Sequence, residues 1–286
     1  MQDLTVSIIQ SDLVWEDKAA NFDNFQKKIE GIKEDTDLII LPEMFSTGFS
    51  MKPEIFADEN GDETLSWMRE QASKKNAALA GSVMVSEDGN FFNRLFFVLP
   101  DGDFHYYDKR HLFSMGGEDN HFTPGEREVV IDFKGWKIKL LICYDLRFPV
   151  WAKNRFDNGK YEYDLLLTVA NWPAVRSRVW ETLLSARAIE NQAFVVGVNR
   201  IGDDGNGLPH SGNSNVYDAK GLPLLDDNEN REFTATVRLS YSGLREFRDK
   251  FTVGYDWDVF GIDFKTKQRS SGDRYSDKKS QTGYDG

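Results

Sequence analysis

The sequence predicts an α/β fold with mixed or stacked sheets and helices on the outside. Three observations predict it: short β-rich runs that recur along the chain, one-faced helical segments between some of them, and hairpin turns between others. The first run is Leu4–Gln10. Phe22, Phe25, Ile29 and Ile32 follow, spaced by three and four, and this spacing predicts an amphipathic helix. Asp37–Glu43 runs apolar and stops at Pro42, which has no N–H for a strand ladder. Ala77–Val85 and Arg94–Pro100 come next; Ser86-Glu-Asp-Gly-Asn90 between them is a hairpin signal, and Asp101-Gly102 marks another turn. Trp136–Asp145 is the most apolar strand-like run, and Asp164–Asn171 is nearly continuous Val, Ile and Leu, as in strands covered by helices. After Asn171-Trp172-Pro173 a second helix is predicted through Val175, Val179, Leu183, Ala186 and Ile189. The runs Ala193–Arg200, Asn213–Tyr217 and Thr234–Leu239 complete the order.

Composition narrows the class. Of 286 residues 40% are hydrophobic and 21 are phenylalanine, which excludes a disordered chain. A net charge of -12 without a basic stripe argues against nucleic acid as a partner. No apolar run approaches the roughly 20 residues of a bilayer span, so no membrane is expected, and a single cysteine cannot form an intrachain disulfide. A cytoplasmic protein is the expectation. No linker or repeat interrupts the chain, so residues 1–264 read as one domain, and the polar stretch 265–286 as a tail with almost nothing to bury.

Several charged or reactive residues fall where strands end. Cys143 closes the most apolar run, and ligands of open α/β sheets bind outside the carboxyl ends of the strands. It is either a nucleophile there or a small buried hydrophobe. Glu43 lies just beyond Pro42, either as a solvated loop carboxylate or, walled by Met44-Phe-Ser-Thr-Gly-Phe49, as a general base. Lys109 sits in an aromatic and basic cluster, Tyr106–Phe113. It is a surface lysine, or a cation that lowers the thiol pKa and steadies an oxyanion. Two glycines before Glu118 can bring a second carboxylate close.

The order of these residues resembles the nitrilase superfamily of carbon–nitrogen hydrolases. Leu41-Pro-Glu43-Met, Tyr107-Asp-Lys109-Arg-His-Leu-Phe and Leu141-Ile-Cys143-Tyr-Asp-Leu-Arg-Phe match its three motifs, with Glu118 between the last two. Val169-Ala-Asn-Trp-Pro173, Ser185-Ala-Arg-Ala-Ile-Glu-Asn-Gln192 and Val198–Gly207 resemble its bacterial omega-amidase branch, and the likeness spans about residues 3–262. The resemblance implies an α-β-β-α sandwich that pairs its sheets across a dimer, and an amidase acting on omega-amides such as 2-oxoglutaramate through a cysteine thioester. It also implies roles. Cys143 attacks, Lys109 and the backbone N–H of Tyr144 hold the oxyanion, Glu43 moves the protons, and Glu118 orients Lys109 or the substrate.

An omega-amide acid carries a carboxylate, so a pocket arginine is expected. Arg147 is one candidate, with Arg176 and Arg187 as others, although Arg187 and Glu190 have helical salt-bridge spacing. Asn171, Trp172 and His111 are further candidates for substrate contact, with packing as the competing role of Trp172. A papain-like Cys–His pair would need His105, His111, His121 or His210 near the thiol. No metal-ligand spacing or phosphate loop occurs, so neither metal nor cofactor is implied. The expected partners are a small amide substrate and a second copy of the chain, as a homodimer or higher homo-oligomer. Nitriles, aliphatic amides and N-carbamoyl amines are the alternative substrates, and a catalytically silent binding scaffold the alternative role.

Overall fold

The computed structural model describes residues 2–226 and 229–262. The expected tail 265–286 lies outside the described residues. Two mixed sheets dominate. The first has the strand order Phe233–Leu239, Leu4–Gln10, Leu38–Ile40, Ala78–Glu87, Asn90–Val98, Phe104–Asp108, with the short Asp58–Glu59 also on Ala78–Glu87. Its three inner crossover strands are parallel and its hairpins antiparallel. The second runs Asn215–Tyr217, Phe194–Asn199, Leu165–Ala170, Trp136–Ile142, Val130–Phe133, again parallel in the middle.

The apolar runs of the inner strands read so continuously because these strands are covered on both faces. Along the first sheet Val6, Ile8, Ala80, Leu95 and Phe97 face the second sheet and join Ile138, Leu140, Leu165 and Val196 in one buried cluster. Residues of opposite parity, Ile9, Leu79, Val83 and Phe96, face the helices Lys18–Glu30 and Asp62–Lys75 and meet Phe25, Ile29, Leu65 and Met68. Each such aliphatic or aromatic side chain contributes about 1.5–3 kcal/mol by leaving water. The two sheets therefore stack within one chain with helices outside, the α-β-β-α sandwich expected from the resemblance.

Two expectations shift. The run Asp37–Glu43 is a strand only over Leu38–Ile40; Leu41 still donates to Ala80, and beyond it the chain turns on Ser82, whose Oγ accepts from the N–H of Met44 at 3.0 Å. The second predicted helix forms over Ser177–Asn191, yet its buried side is Trp180, Leu184, Arg187, Ala188 and Asn191, while Val175 and Ile189 are exposed. The inner face is set by Gly197 on the adjacent strand. A Cβ there would stand 2.6 Å from Leu184 Cδ1 and 2.8 Å from Trp180, so the missing side chain makes the groove that these two fill. Among the described residues no helix is long and apolar enough to cross a membrane.

Candidate active site

Four ends of structure converge between the sheets. Glu43 sits in the turn after Leu38–Ile40, Lys109 directly after Phe104–Asp108, Glu118 opens a one-turn 3-10 helix, and Cys143 follows Trp136–Ile142. Glu43, Lys109 and Glu118 are buried to within 1% of completely, and Cys143 is 8% exposed. Lys109 Nζ donates to Glu43 Oε1 at 2.9 Å and to Glu118 Oε1 and Oε2 at 3.0 and 2.9 Å. Burial acts first and disfavours its charge, but the two carboxylates outweigh it and hold the ammonium well above the usual lysine range. Burial pushes Glu118 up, against the opposing pull of Lys109; the N–H of Phe113 donates to its Oε2 at 2.6 Å. Glu43 is tied to the second sheet. Its Oε2 accepts the N–H of Asn171 at 2.7 Å, and its carbonyl accepts Asn171 Nδ2 at 2.5 Å.

The thiol corrects one expectation. Burial, then the charge of Glu43, push its pKa well above the ordinary value, while Lys109 acts in the expected lowering direction but is outweighed. Burial thus favours the protonated form of the thiol. Attack on a carbonyl then needs a base nearby, and Glu43 is the carboxylate that acts most strongly on the thiol, whose Sγ itself lies 4.0 Å from the carbonyl of Asn171. Cys143 holds a left-handed backbone, φ 46°, at the head of the 3-10 turn Cys143–Arg147. Asp145 fixes that turn: its Oδ2 accepts Ile142 N–H at 3.1 Å and Tyr107 O–H at 2.7 Å, and its Oδ1 accepts the N–H of His111 at 2.9 Å. One buried carboxylate thereby locks the nucleophile's turn to the segment that carries Lys109.

A cavity of 180 Å³ opens over the thiol, lined by Cys143, Tyr144, Arg147, Asn171, Trp172 and Arg176, with Phe49, Met51 and Phe113 as apolar walls. Arg147 stacks over Trp172 at 4.9 Å and Arg176 over Phe113 at 5.5 Å. Neither guanidinium is in an ion pair among the described residues. Burial and then the neighbouring Arg147 push the pKa of Arg176 down, so the two like charges feel each other.

Comparison with known proteins shows the family. The family pattern described as carbon-nitrogen hydrolase matches residues 5–249. The chain belongs to the carbon–nitrogen hydrolase family. Omega-amidase YafV of Escherichia coli strain K12 is 44% identical over 262 residues, 92% of this chain and 100% of that protein. A 2-oxoglutaramate amidase of Bacillus subtilis is 32% identical over 225 residues, 78% of this chain and 85% of that one. Among solved structures, a CN-hydrolase superfamily protein of Xanthomonas campestris, with an arsenic adduct in its active site, superposes with a TM-score of 0.89. It is 42% identical and covers 92% of this chain and 100% of its own. The protein is accordingly a hydrolase of carbon–nitrogen bonds other than peptide bonds.

In this hydrolase Tyr144, Arg147, Asn171 and Trp172 line the cavity as expected positions for substrate contact. His111 does not. Its Nδ1 pairs with Asp145 Oδ1 at 2.8 Å and its ring stacks on Phe148 at 3.7 Å, which turns it to the rear of the nucleophile's turn. Arg187 also lies elsewhere, bonded to Glu190 Oε1 at 2.8 Å and the carbonyl of Leu146 at 2.7 Å. Of the histidines, His105 and His121 are exposed, and His210 lines the cavity. The charged groups that act most strongly on the thiol are Glu43, Lys109 and Glu118. Two residues escaped the sequence reading. Asn93 donates to both carboxylates, at 2.8 Å to Glu43 and 3.1 Å to Glu118, and Asp145 anchors the turn. An asparagine inside the aromatic run Phe91-Phe-Asn-Arg-Leu-Phe-Phe97 was the available signal, since a buried amide in a strand needs partners.

Proposed function

We propose that this hydrolase releases ammonia from omega-amides of dicarboxylic acids, 2-oxoglutaramate among them, through a thioester on Cys143. The observation that carries the reading is the pair of guanidinium groups, Arg147 and Arg176, in the cavity that contains the thiol, without a carboxylate of the chain in ion pair with either. Two half-buried like charges side by side favour a ligand that brings its own carboxylate. The names of the relatives, omega-amidase and 2-oxoglutaramate amidase, point the same way.

The cluster of Glu43, Lys109, Glu118 and Cys143 supports the following steps. Glu43 takes the thiol proton as Cys143 Sγ attacks the amide carbon. Lys109 Nζ–H and the backbone N–H of Tyr144 hold the oxyanion. The tetrahedral adduct collapses: the C–N bond breaks, the proton on Glu43 passes to nitrogen, and ammonia leaves a thioester. Glu43 then deprotonates a water, which attacks the thioester, and the thiol regains its proton as the acid departs. Glu118 keeps Lys109 aimed.

The test is ammonia release from 2-oxoglutaramate, succinamate, glutamine and a simple nitrile, with Cys143→Ala as the blank. Fast, cysteine-dependent release from the omega-amide acids is expected. Release from the nitrile alone, or from amides without a carboxylate, would transfer the protein to another branch of the family. We further place it in the cytoplasm as a homodimer. The groove lined by Val150, Trp257 and Phe260, with Lys153, Glu190, Asp256 and Asp258 at its polar side and exposed Tyr255 and Val259 beside it, is the face we assign to a second copy. Sedimentation of the full chain beside one ending at Phe264 tests that assembly.

A further inference from the structure

We propose that Asn93 is a positioning residue that holds Glu43 and Glu118 as two separately bonded carboxylates and leaves Oε2 of Glu43 as the atom that exchanges a proton with Cys143. The proposal rests on the roles given to those residues above. Asn93 is completely buried in the strand Asn90–Val98. Its Nδ2 donates to Glu43 Oε1 and Glu118 Oε1, and its main-chain carbonyl accepts the main-chain N–H of Lys109 at 2.9 Å, so its side chain touches two of the four groups and its backbone holds the segment that carries the third.

Charge explains why this matters. Two carboxylates around one ammonium leave a surplus negative charge in a buried site, and carboxylates that share a site drive one of them to hold a proton. A proton shared between Glu43 and Glu118 would spoil Glu43 as a base. The amide of Asn93 occupies the position where such a proton would bridge them. It supplies two N–H donors and neither gives up nor accepts a proton near neutral pH. Its orientation is fixed, because a flipped amide would turn its oxygen on two carboxylates. The titratable groups facing it are Glu43, Lys109, Glu118 and, across Glu43, Cys143. Arg94, next in the strand, points to the opposite face and pairs with Asp108 and Glu87.

The atoms then sort themselves. Glu43 Oε1 accepts two donors, Lys109 Nζ and Asn93 Nδ2, whereas Oε2 accepts the single N–H of Asn171 and keeps a lone pair. Asn93 Oδ1, by contrast, is buried without a hydrogen-bond partner. That is unfavourable for folding, so the contribution of Asn93 to the site lies in its Nδ2.

The test uses the chain's single cysteine as its own reporter. Alkylation of Cys143 by iodoacetamide is followed against pH in the full-length wild type, in Asn93→Asp and in Asn93→Ser, with ammonia release from 2-oxoglutaramate as a parallel readout. Asn93→Asp places a third carboxylate in the cluster, so the acid midpoint of alkylation should rise by about one pH unit or more. Asn93→Ser, with fewer donors, should raise it in the same direction by less. In ammonia release the loss should fall on kcat rather than KM. Wild-type alkylation profiles in a cooperatively melting variant would overturn the proposal. Collapse of the fold in both variants would assign Asn93 to the core and overturn it equally. A wild type that is alkylated as described but releases no ammonia would sink the substrate reading and leave the role of Asn93 standing.

Discussion

At Cys143 chemistry and backbone strain meet in one residue. A non-glycine residue at φ 46° is held about 1–2 kcal/mol above its relaxed state, and Asp145 maintains it through the N–H of Ile142. Two substitutions separate the contributions. Cys143→Ala should abolish ammonia release while keeping the strain, and Cys143→Gly should be as inactive but about 1 kcal/mol more stable than Cys143→Ala in denaturant unfolding. Equal stability would mean that the turn carries no strain. His210 gives a pH test. Burial, and then the charge of Arg200, push its pKa from 6.5 down to about 4. Above pH 6.5 both folded and unfolded chains are neutral there and stability is flat. As pH falls from 6.5 to 4 only the unfolded chain takes the proton, so stability declines across that window. The drop of 2.5 units (6.5 less 4) corresponds to roughly 3 kcal/mol at most. Denaturation at pH 7.5 and 4.5 should show a smaller decline in His210→Gln than in wild type; parallel declines would show that His210 is not the group responsible.

Between elements, close packing decides more than propensity does. Gly197 lets the helix Ser177–Asn191 settle with Trp180 and Leu184 against Phe194–Asn199, so Gly197→Ala must push both side chains out of place. We expect a loss of about 1–3 kcal/mol in urea unfolding with little change in slope; an unchanged midpoint would mean that the helix has slack. The same packing explains what could be read beforehand. Strand positions were legible because burial on both faces leaves continuous apolar runs, and Leu4–Gln10 appears in the structure with the bounds read from the sequence. The helix face was not: two apolar stripes compete on Ser177–Asn191, and the choice depends on a glycine in another strand. At the site the motif order named Glu43, Lys109, Glu118 and Cys143, which the fold brings into one cluster. Asn93 and Asp145 stayed hidden because their roles are bonds to residues distant in sequence. His111 was misplaced because adjacency to Lys109 along the chain says nothing about which side of a turn a ring takes.

At the scale of the whole molecule, the site belongs to neither sheet alone. Glu43 comes from the first sheet and Asn171 from the second, and the two bonds between them, 2.7 and 2.5 Å, cross the layer boundary. Lys109 is bonded to Asn93 of the first sheet, while Tyr107 of the same segment reaches Asp145 beside the nucleophile. The inter-sheet cluster that contains Val6, Phe97, Leu140 and Val196 also includes Cys143, so the reacting groups hold their spacing only while the sheets remain stacked. Sites placed on mobile loops open at free energies well below that of global unfolding; a site formed between two packed sheets has no such cheap opening. Ammonia release, assayed after brief dilution into substrate at each guanidinium chloride concentration, should therefore fall along the same curve as tryptophan fluorescence. Trp136 and Trp180 are completely buried and report the second sheet and its helix. Coincident curves are the signature of a single cooperative unit. Release that vanished at clearly lower denaturant would show that the turn of Cys143 or the bridge from Glu43 to Asn171 melts on its own, and the sheets could then not be what holds the catalytic groups in register.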